Sequence, residues 1–311
     1  MAVTHVPALA PSADPGGFED AVADLLMDYM MNKKRSICTV KGRIRLHLQP
    51  VFGGQPLSAI TTVAVRAYSV ARQTEGGSNA TVNRELITLK RMLSLAVQAD
   101  KIPKRPYIPL LKEQNARRGF FEPAQFERVL AHLPEHARGV ASFAYITGWR
   151  TPSEILPLEW RQVDMAAGEV RLDPGTTKNG DGRVFPMTRE LRQVLERQQT
   201  IAETLRRERD VIVRHVFCYA VGDRAGRQVT QNEYWHSWCL ARAAADCPDR
   251  IPHDFRRTAV RNLVRTGVPE RVAMQLTGHK TRAVFERYNI TSPNDLREAA
   301  LKLDTYSGVT A

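Results

Sequence analysis

Cysteine and long apolar runs are both scarce in this chain. Its 311 residues include four cysteines, and no two of them have the C-x-x-C spacing. Such a pattern excludes a disulfide framework and disfavours a zinc site of the usual spacing. No apolar stretch approaches the roughly 20 residues that a membrane-spanning helix needs, and residues 1–17 lack the features of a signal peptide. We therefore expect a cytoplasmic protein with no membrane partner, and a disordered lead-in at residues 1–17.

Two common sets of catalytic residues are also absent. The sequence has no cluster of aspartates and glutamates such as a two-metal nuclease needs. It also has no G-x-x-x-x-G-K-S/T loop for the phosphates of ATP. We therefore expect no metal site and no cofactor.

Acidic residues are outnumbered by basic ones, and the excess is uneven along the chain. The 45 lysines and arginines against 33 aspartates and glutamates give a net charge of +12. Residues 1–118 hold 17 basic and 9 acidic residues, a net charge of +8, and the remaining 193 residues carry +4. This balance favours a polyanionic partner, most often nucleic acid, although a merely basic enzyme is the alternative.

Residues 18–100 have helical periodicity and predict a helical domain. The clearest helix places Leu86, Leu89 and Leu93 on one apolar stripe. Residues 37–48 are less clear, because their apolar side chains also alternate as in a strand. The other predicted helices span Phe18–Met31, Ile37–Leu48 and about Ile60–Gln73.

Several basic side chains of this domain lie outside its apolar stripe. A solvated helix face would explain them equally well, but the net charge of the segment favours contact with DNA phosphates. Together with basic residues elsewhere, the predicted DNA contacts are Lys41, Arg43, Arg84, Lys90, Arg91, Arg117, Arg118 and Arg257.

Residues 101–118 are predicted to form a basic linker. Their three prolines disfavour a helix, and their six basic side chains would suit a protein that closes around a duplex. A second domain is predicted at residues 119–290, helical except for a short hairpin or small sheet around Glu169–Thr188. The predicted fold class is therefore mainly α with a small β-sheet (α+β).

Residues 291–311 are predicted to form a C-terminal helix and tail. An apolar side would be formed by Leu296, Ala299, Ala300 and Leu303. This side would pack either on its own domain or on a neighbouring subunit.

Five short motifs of the second domain carry polar groups at turns or helix starts. Each has an ordinary structural explanation when taken alone: a lysine at a hairpin tip is usually solvated, and a lone tyrosine usually packs in a core. In chain order the motifs are Thr147-Gly148-Trp149-Arg150 followed by Glu154, Thr177-Lys178-Asn179-Gly180, His253-Asp254-Phe255-Arg256-Arg257, Leu276-Thr277-Gly278-His279 and Phe285-Glu286-Arg287-Tyr288.

Taken together, these motifs predict a site for phosphoryl transfer. Two arginines, two histidines and one lysine would surround a phosphate, whose oxygens gain negative charge during transfer. His253 and Arg256 are three residues apart at a helix start, so they share one face and can contact one ligand. A phenol is a poor nucleophile unless cations stabilise it, so Tyr288 would react only in such surroundings.

The ordered motifs TGWR, TKNGDGR, HDFRRTA, LTGHK and FERY resemble those of the tyrosine recombinase (phage integrase) family. The segment NATVNRELITLKRMLSLAV resembles that family's helical core-binding domain, so the resemblance covers roughly residues 18–300. It implies a helical core-binding domain followed by the family's catalytic domain. By this resemblance the catalytic residues are Arg150, Lys178, His253, Arg256, His279 and Tyr288, with Glu154 in a supporting role.

The resemblance also implies a reaction. Tyr288 would form a covalent 3′-phosphotyrosyl intermediate, and the freed 5′-hydroxyl would attack a partner duplex through a Holliday junction. Lys178 would protonate the leaving 5′-oxygen, His253 would assist proton transfer from Tyr288, and the remaining side chains would hold the phosphate. The implied partners are double-stranded DNA target sites, further copies of the chain in a tetramer, and accessory DNA-bending or directionality proteins. The protein would associate with the nucleoid when it is on DNA.

Two features depart from the family pattern. The acidic residue usually stands third after the first arginine, whereas here Ser153 is third and Glu154 is fourth. Both spacings share a helical face, so Glu154 could still support Arg150. Residues 1–17 are also too few for the arm-binding domain of many phage integrases, which predicts a simpler two-domain enzyme or a truncated one.

Two other functions fit the same motifs. A type IB topoisomerase uses the same tyrosine chemistry to relax supercoils, and a non-catalytic DNA-binding protein could retain the fold. The core-binding segment and the C-terminal helix favour recombination, because partner subunits must be engaged, and the intact set of six catalytic residues argues against a non-catalytic protein. A mobile genetic element is the expected context, with integration, excision and resolution all left open.

Overall fold

The computed structural model describes residues 16–34, 36–113, 119–175 and 180–288, together with residues 296, 297, 300, 301, 303 and 304. The chain divides into two compact units, residues 1–115 and 116–311. The described residues are mostly helical and contain one three-stranded sheet, so the predicted fold class is confirmed. Most of the predicted lead-in (residues 1–15) and the end of the predicted linker (residues 114–118) lie outside the described residues.

The described part of the first unit is helical, as predicted. Ile44–Leu48 form a π-helical turn in which Ile44 and Leu48 are buried and Leu46 is exposed. This four-residue spacing of buried side chains resolves the ambiguity of the segment in favour of a helix. The helices are α1 (Phe18–Met31), α2 (Ile37–Arg43), α3 (Gln49–Phe52), α4 (Thr62–Thr74) and α5 (Asn79–Gln98).

Helix α5 carries much of the core of the first unit. Ser78 caps its first turn by accepting a hydrogen bond from the backbone N–H of Thr81. Its predicted stripe is fully buried at Leu86, Leu89 and Leu93, and α1 and α4 pack against it. The stripe therefore holds this unit together by burying apolar surface on both neighbouring helices.

The described part of the predicted linker packs on this same unit. Ile102 and Ile108 are buried in its core, and Asn83 of α5 accepts a hydrogen bond from the Leu111 backbone N–H at 2.8 Å. The prolines of the segment disfavour a helix, but its apolar residues still find partners. Ile102 and Ile108 therefore contribute to the core of the first unit.

A buried carboxylate links helices α4 and α5. Glu85, 1% exposed, accepts hydrogen bonds from Tyr68 at 2.7 Å and from Arg72 at 3.0 and 3.1 Å. Burial opposes the ionisation of Glu85, but these hydrogen bonds outweigh it and hold its pKa below the usual value. The hydrogen bonds of Glu85 with Tyr68 and Arg72 thus hold α4 against α5.

The second unit surrounds a small antiparallel sheet with helices. The strands are β1 (Val163–Asp164), β2 (Glu169–Leu172) and β3 (Arg183–Pro186), in the order β1-β2-β3, with Val170 opposite Phe185. None of the helices in the described parts of either unit is both long and apolar enough to cross a membrane. The helices of this unit are α6 (Pro123–His132), α7 (Glu135–Thr147), α8 (Arg189–Arg209), α9 (Gln231–Ala244), α10 (Asp254–Arg265), α11 (Glu270–Thr277) and α12 (Arg282–Glu286).

An aromatic cluster fixes α10, the helix that begins with the HDFRR motif. Phe255 is fully buried, with ring centroids 4.8 Å from Phe121 and 5.1 Å from Trp238. Helix α7 packs along α10 and ends at the TGWR motif. Packing of these two helices therefore brings two of the five motifs together.

Replacing the buried carboxylate tests the account of the first unit. Glu85→Gln removes the buried anionic partner of Arg72, and we expect it to lower the free energy of unfolding of this unit by about 3 kcal/mol. Hydrogen exchange of the α5 amides during urea unfolding measures this loss. All four tryptophans lie in the second unit, so the midpoint of tryptophan fluorescence should not move.

Glu75 supplies the matched control. It also pairs with Arg72 but is exposed, so Glu75→Gln should cost less than about 1 kcal/mol. Equal losses for the two variants would contradict the assignment of the buried pair as the stabilising one.

Candidate active site

Two glycine turns of the same design present two of the motifs. Helix α7 ends at Thr147 and helix α11 at Thr277, and each is followed by a glycine in the left-handed region, Gly148 (φ 65°) and Gly278 (φ 70°). Each threonine hydroxyl donates to the carbonyl oxygen four residues earlier, at 2.8 and 2.6 Å. Glycine adopts this conformation without the steric cost of a side chain, so both helices stop abruptly and release the residues that follow.

The guanidinium of Arg256 joins these two turns. It donates from Nη1 to the carbonyl oxygen of Gly148 at 2.8 Å and from Nη2 to that of Gly278 at 3.4 Å, while Nε donates to Nε2 of His279 at 3.1 Å. These bonds use three of the five N–H donors, which leaves two for a ligand. Burial and the charge of Arg150 lower the pKa of Arg256 to about 9, so it is still a cation at neutral pH.

A π-helical turn brings Glu154 to Arg150. The backbone N–H groups of Ile155 and Leu156 bond five residues back, to the carbonyl oxygens of Arg150 and Thr151. Glu154 then accepts from Nη1 of Arg150 at 2.6 Å and from its backbone N–H at 2.8 Å. A π turn accommodates one more residue than an α turn, which explains how a glutamate in the fourth position contacts the arginine.

His279 is held as a neutral imidazole. Since Nε2 accepts from Arg256, we assign the proton to Nδ1, which lies 2.7 Å from the hydroxyl oxygen of Thr277. Burial, followed by the charges of Arg256, Arg150 and Arg183, lowers the pKa of His279 to about 3. The ring is therefore uncharged throughout the physiological range.

Tyr288 lies beside these groups in the same chain. Its hydroxyl oxygen is 3.0 Å from Nε2 of His253, and its ring centroid is 4.8 Å from that of His279. The guanidinium groups of Arg256 and Arg257 each lie 5.8 Å from the ring centre. A short helix, α12, ends two residues before Tyr288 and anchors the segment through the buried Phe285.

His253 has the electrostatic properties of a proton acceptor. Although one side of the residue is open to solvent, loss of hydration on the other side and the charges of Arg256 and Arg257 lower its pKa from the usual value. His253 is thus neutral at pH 7. With Nε2 as acceptor, the Tyr288 hydroxyl can donate to it directly.

Two residues of the site were not predicted from the sequence. Arg183 of β3 donates to Glu154 at 2.6 Å and to the carbonyl oxygen of Thr277 at 2.7 Å. Trp149, 2% exposed, donates from Nε1 to the carbonyl oxygen of Leu276 at 3.0 Å. A signal for Arg183 was present, since side chains two apart on a strand share a face and the side chain of Phe185 points into the core.

The structure gathers five of the predicted catalytic residues and the supporting Glu154. The sixth, Lys178, lies outside the described residues, as do two of the predicted DNA contacts, Arg117 and Arg118. Of the predicted DNA contacts that the structure describes, Lys41 and Arg84 are exposed, and Lys90 and Arg257 are half-buried. Arg43 donates a hydrogen bond to Thr88, and Arg91 pairs with Asp28.

The arrangement is suited to binding an anion beside a phenol whose proton can pass to a histidine. A pocket of about 240 Å³ opens beside the cluster and is lined by Arg150, His253 and Arg256 together with apolar side chains. Its guanidinium groups can neutralise charge that develops on phosphate oxygens. Within the ranges that the structure describes, no three His, Cys, Asp or Glu side chains converge in a way that could hold a metal ion.

A methyl group at the first glycine turn should disturb the site. In Gly148→Ala the new Cβ would lie 2.8 Å from Cβ of Ala259 in addition to the left-handed strain. We expect this variant to lose about 3 kcal/mol of unfolding free energy, measured by tryptophan fluorescence in urea, because the strain alone costs about 1–2 kcal/mol and the close contact adds roughly 1 kcal/mol or more. The matched control is Gly267→Ala, which has φ +80° and open space around the added group. Equal losses would show that the contact with α10 contributes nothing.

Comparison with known proteins identifies the family. Residues 120–294 match the family model described as the phage integrase family. The chain is 27% identical to the integrase of Salmonella phage P22 over 242 residues, covering 74% of this chain and 59% of that protein. It is 23% identical to the ICEBs1 integrase of Bacillus subtilis (strain 168) over 284 residues, covering 84% and 75%. The chain thus spans less than two thirds of the P22 integrase.

Solved structures share the fold. A lambda integrase dimer bound to a COC′ core site has a TM-score of 0.71 at 16% identity, covering 88% of this chain and 77% of that one. The Tn1549 transposon integrase in complex with circular intermediate DNA has a TM-score of 0.70 at 18% identity, covering 90% and 98%. The family model matches more than half of this sequence, and the predicted membership is confirmed: the chain belongs to the phage integrase family.

Proposed function

We propose that this protein is a site-specific DNA recombinase that cuts and rejoins DNA through a covalent bond to Tyr288. The observation that carries the proposal is the position of the Tyr288 hydroxyl, 3.0 Å from the neutral His253 and beside the guanidinium of Arg256. This position supports roles for Tyr288 as the nucleophile, His253 as the proton acceptor and Arg256 as a phosphate-binding cation within one chain. Membership of the phage integrase family supports the same chemistry.

The proposed cleavage step is balanced within the site. The Tyr288 oxygen attacks the phosphorus while its proton passes to His253, and the bond from phosphorus to the 5′-oxygen breaks. Lys178 donates a proton to that leaving oxygen, so a free 5′-hydroxyl and a 3′-phosphotyrosyl bond result. Attack by a 5′-hydroxyl from a partner duplex reverses the step and completes the exchange without a cofactor.

The cations of the site lower the barrier by stabilising the phosphate in the transition state. Arg150 and the two unused donors of Arg256 would bind its non-bridging oxygens. His279 would contribute through the hydrogen bond that it accepts from Arg256, which fixes the guanidinium plane. Arg150, Arg256 and His279 are thus held in position before DNA binds, so these side chains need little rearrangement to bind the phosphate.

Double-stranded DNA is the proposed partner, and the basic first unit would bind its backbone. Exposed Lys41 and Arg84 would contact phosphates directly. Arg43, Lys90, Arg91, Arg117, Arg118 and Arg257 complete the proposed contacts. We place the protein in the cytoplasm, on DNA when active, with accessory DNA-bending or directionality proteins as further proposed partners.

A tetramer is the proposed active assembly. Leu296, Leu301 and Leu303 near the C-terminus are each about two thirds exposed, which supports docking of this segment on a neighbouring subunit. A lambda integrase tetramer has been described bound to a Holliday junction. Strand exchange between two duplexes needs such an assembly, because each duplex is cut on both strands.

The central test is a covalent adduct. The protein is incubated with nicked duplexes made from the DNA that borders its gene, and products are separated on a denaturing gel. We expect a protein–DNA adduct with wild type and none with Tyr288→Phe, and peptide mass spectrometry should find the nucleotide on Tyr288. Tyr107→Phe, a change at an exposed tyrosine of the first unit, is the control and should react as wild type does. No adduct with wild type, or an undiminished adduct with Tyr288→Phe, would refute the proposal.

A plasmid assay separates recombination from the topoisomerase alternative. A recombinase should join two duplexes that carry the bordering DNA and leave plasmids without it unchanged. Relaxation of any supercoiled plasmid, with no joined product, would favour the type IB alternative.

The proton acceptor predicts the pH dependence of cleavage. Protonated His253 cannot accept the phenol proton, so the single-turnover rate should fall as pH drops through its pKa, which lies below the usual 6.5. The rate should therefore be constant above about pH 7, with an acid midpoint below about 6.5. His253→Gln should lower the rate by about 100-fold and remove this limb.

His132→Gln is the matched control for the pH profile. His132 is an exposed histidine at the end of α6, so its loss should change neither the rate nor the midpoint. A wild-type midpoint above pH 7 would contradict a neutral His253 as acceptor.

A further inference from the structure

We propose that Arg183 is a positioning residue that holds Arg150 and the His279 turn in their reactive places through Glu154 and the carbonyl oxygen of Thr277. This inference rests on the proposed function and adds a residue to it. No described contact joins Arg183 to Tyr288, and Arg183 does not line the pocket of Arg150, His253 and Arg256; it lines a second cavity together with Gly278 and His279.

The first argument is the burial of a cation. The Arg183 side chain is only 7% exposed, although arginine is rarely buried unless it is paired. On β3 it shares the inward face with Phe185, while Val184 between them faces outward. Taking a guanidinium out of water is costly, so such a residue is retained where its hydrogen bonds fix other groups.

The second argument is the pair of acceptors that Arg183 joins. Nη2 donates to Oε1 of Glu154 at 2.6 Å, the same oxygen that accepts from Arg150 at 2.6 Å. Nη1 donates to the carbonyl oxygen of Thr277 at 2.7 Å. One planar fork thus connects the carboxylate that orients Arg150 to the turn that presents His279.

The third argument is the close packing around the guanidinium. A methyl group at Gly278 would overlap it, so the glycine is needed there both for its positive φ and for the approach of Arg183. The guanidinium carbon also lies 5.3 Å from the ring centre of Trp149. Arg183 therefore has contacts on several sides and little freedom to swing away.

The charge of Arg183 also acts on the site. Glu154 alone would neutralise Arg150, but with two arginines sharing one carboxylate the cluster keeps a positive balance for a phosphate. Arg183 is one of the three arginines that lower the pKa of His279 and keep the ring neutral. The hydrogen bonds of Arg183 and its positive charge thus both favour phosphate binding at this site.

Single-turnover cleavage and DNA binding, measured separately, test this role. The assay uses the nicked duplexes described above at saturating concentration, and binding is measured by gel shift. For Arg183→Ala we expect a cleavage rate lowered by about 30- to 100-fold, because Glu154 and the His279 turn lose a shared hydrogen-bond donor. DNA affinity should stay within about threefold of wild type. Arg183→Lys keeps the charge but loses the planar guanidinium, so its cleavage rate should lie between those of wild type and Arg183→Ala.

Arg171 provides the matched control. It lies opposite Val184 on the neighbouring strand β2, but its side chain is 54% exposed and pairs with Glu169. Arg171→Ala should cleave within about twofold of wild type, since a surface pair contributes little. An equal loss in both variants would overturn the proposal, because it would point to the sheet as a whole.

A double-mutant cycle with Glu154→Gln separates positioning from general stability. If Arg183 acts through Glu154, the combined variant should be slower than Glu154→Gln by less than about fivefold, far less than the loss of about 30- to 100-fold that Arg183→Ala causes in wild type. Independent, multiplying effects would overturn the proposal, as would a loss seen only in DNA affinity. If Arg183→Ala does not fold, Arg183→Lys decides, and a wild-type rate for it overturns the proposal.

The same experiments distinguish this inference from the proposed function. Failure of wild type to form the Tyr288 adduct would refute the function itself. A normal adduct with wild type, none with Tyr288→Phe and an unchanged rate with Arg183→Ala would refute only the role of Arg183.

Discussion

The candidate active site depends on one buried cation bound to two backbone carbonyls. The guanidinium of Arg256 reaches the carbonyl oxygens of Gly148 and Gly278, the glycines that end α7 and α11. Because these glycines have left-handed φ, their carbonyls turn away from the helix axes and become available to a side chain. Motifs more than a hundred residues apart in sequence are thereby joined at one point. Arg150, His279 and Tyr288 take their positions relative to that point.

Much of the fold and most of the site could be predicted from the sequence, for identifiable reasons. The α5 stripe is long and strongly periodic, so its burial follows from pattern alone. The glycine before Arg150 and the one before His279 mark turns, and the order of the motifs points to one reaction. The packing of Ile102 and Ile108 could not be predicted, because prolines indicate a break in helix but say nothing about tertiary partners. Tertiary contacts, not local preferences, decide such segments.

The residues that the sequence did not reveal share a common property. Arg183 and Trp149 act through hydrogen bonds to backbone carbonyls or to another side chain's partner, and the sequence does not specify these acceptors, although strand alternation gives the face of Arg183. Neighbouring charges matter in the same way. The pKa of His279 is lowered by burial and then by Arg256, Arg150 and Arg183, which folding brings near it from distant parts of the sequence. Electrostatic tuning of this kind belongs to the assembled site.

The π-helical turn after Arg150 has a consequence for how such proteins are recognised. A search pattern that demands an acidic residue exactly three places after the arginine would pass over this chain. The wider turn takes up the additional residue, because the N–H groups of Ile155 and Leu156 bond five residues back, and the carboxylate of Glu154 still contacts Arg150. The contact between Arg150 and its carboxylate partner therefore does not require the three-residue spacing. The distance between Glu154 and Arg150 identifies the glutamate as the partner of the arginine, whereas the number of residues between them does not.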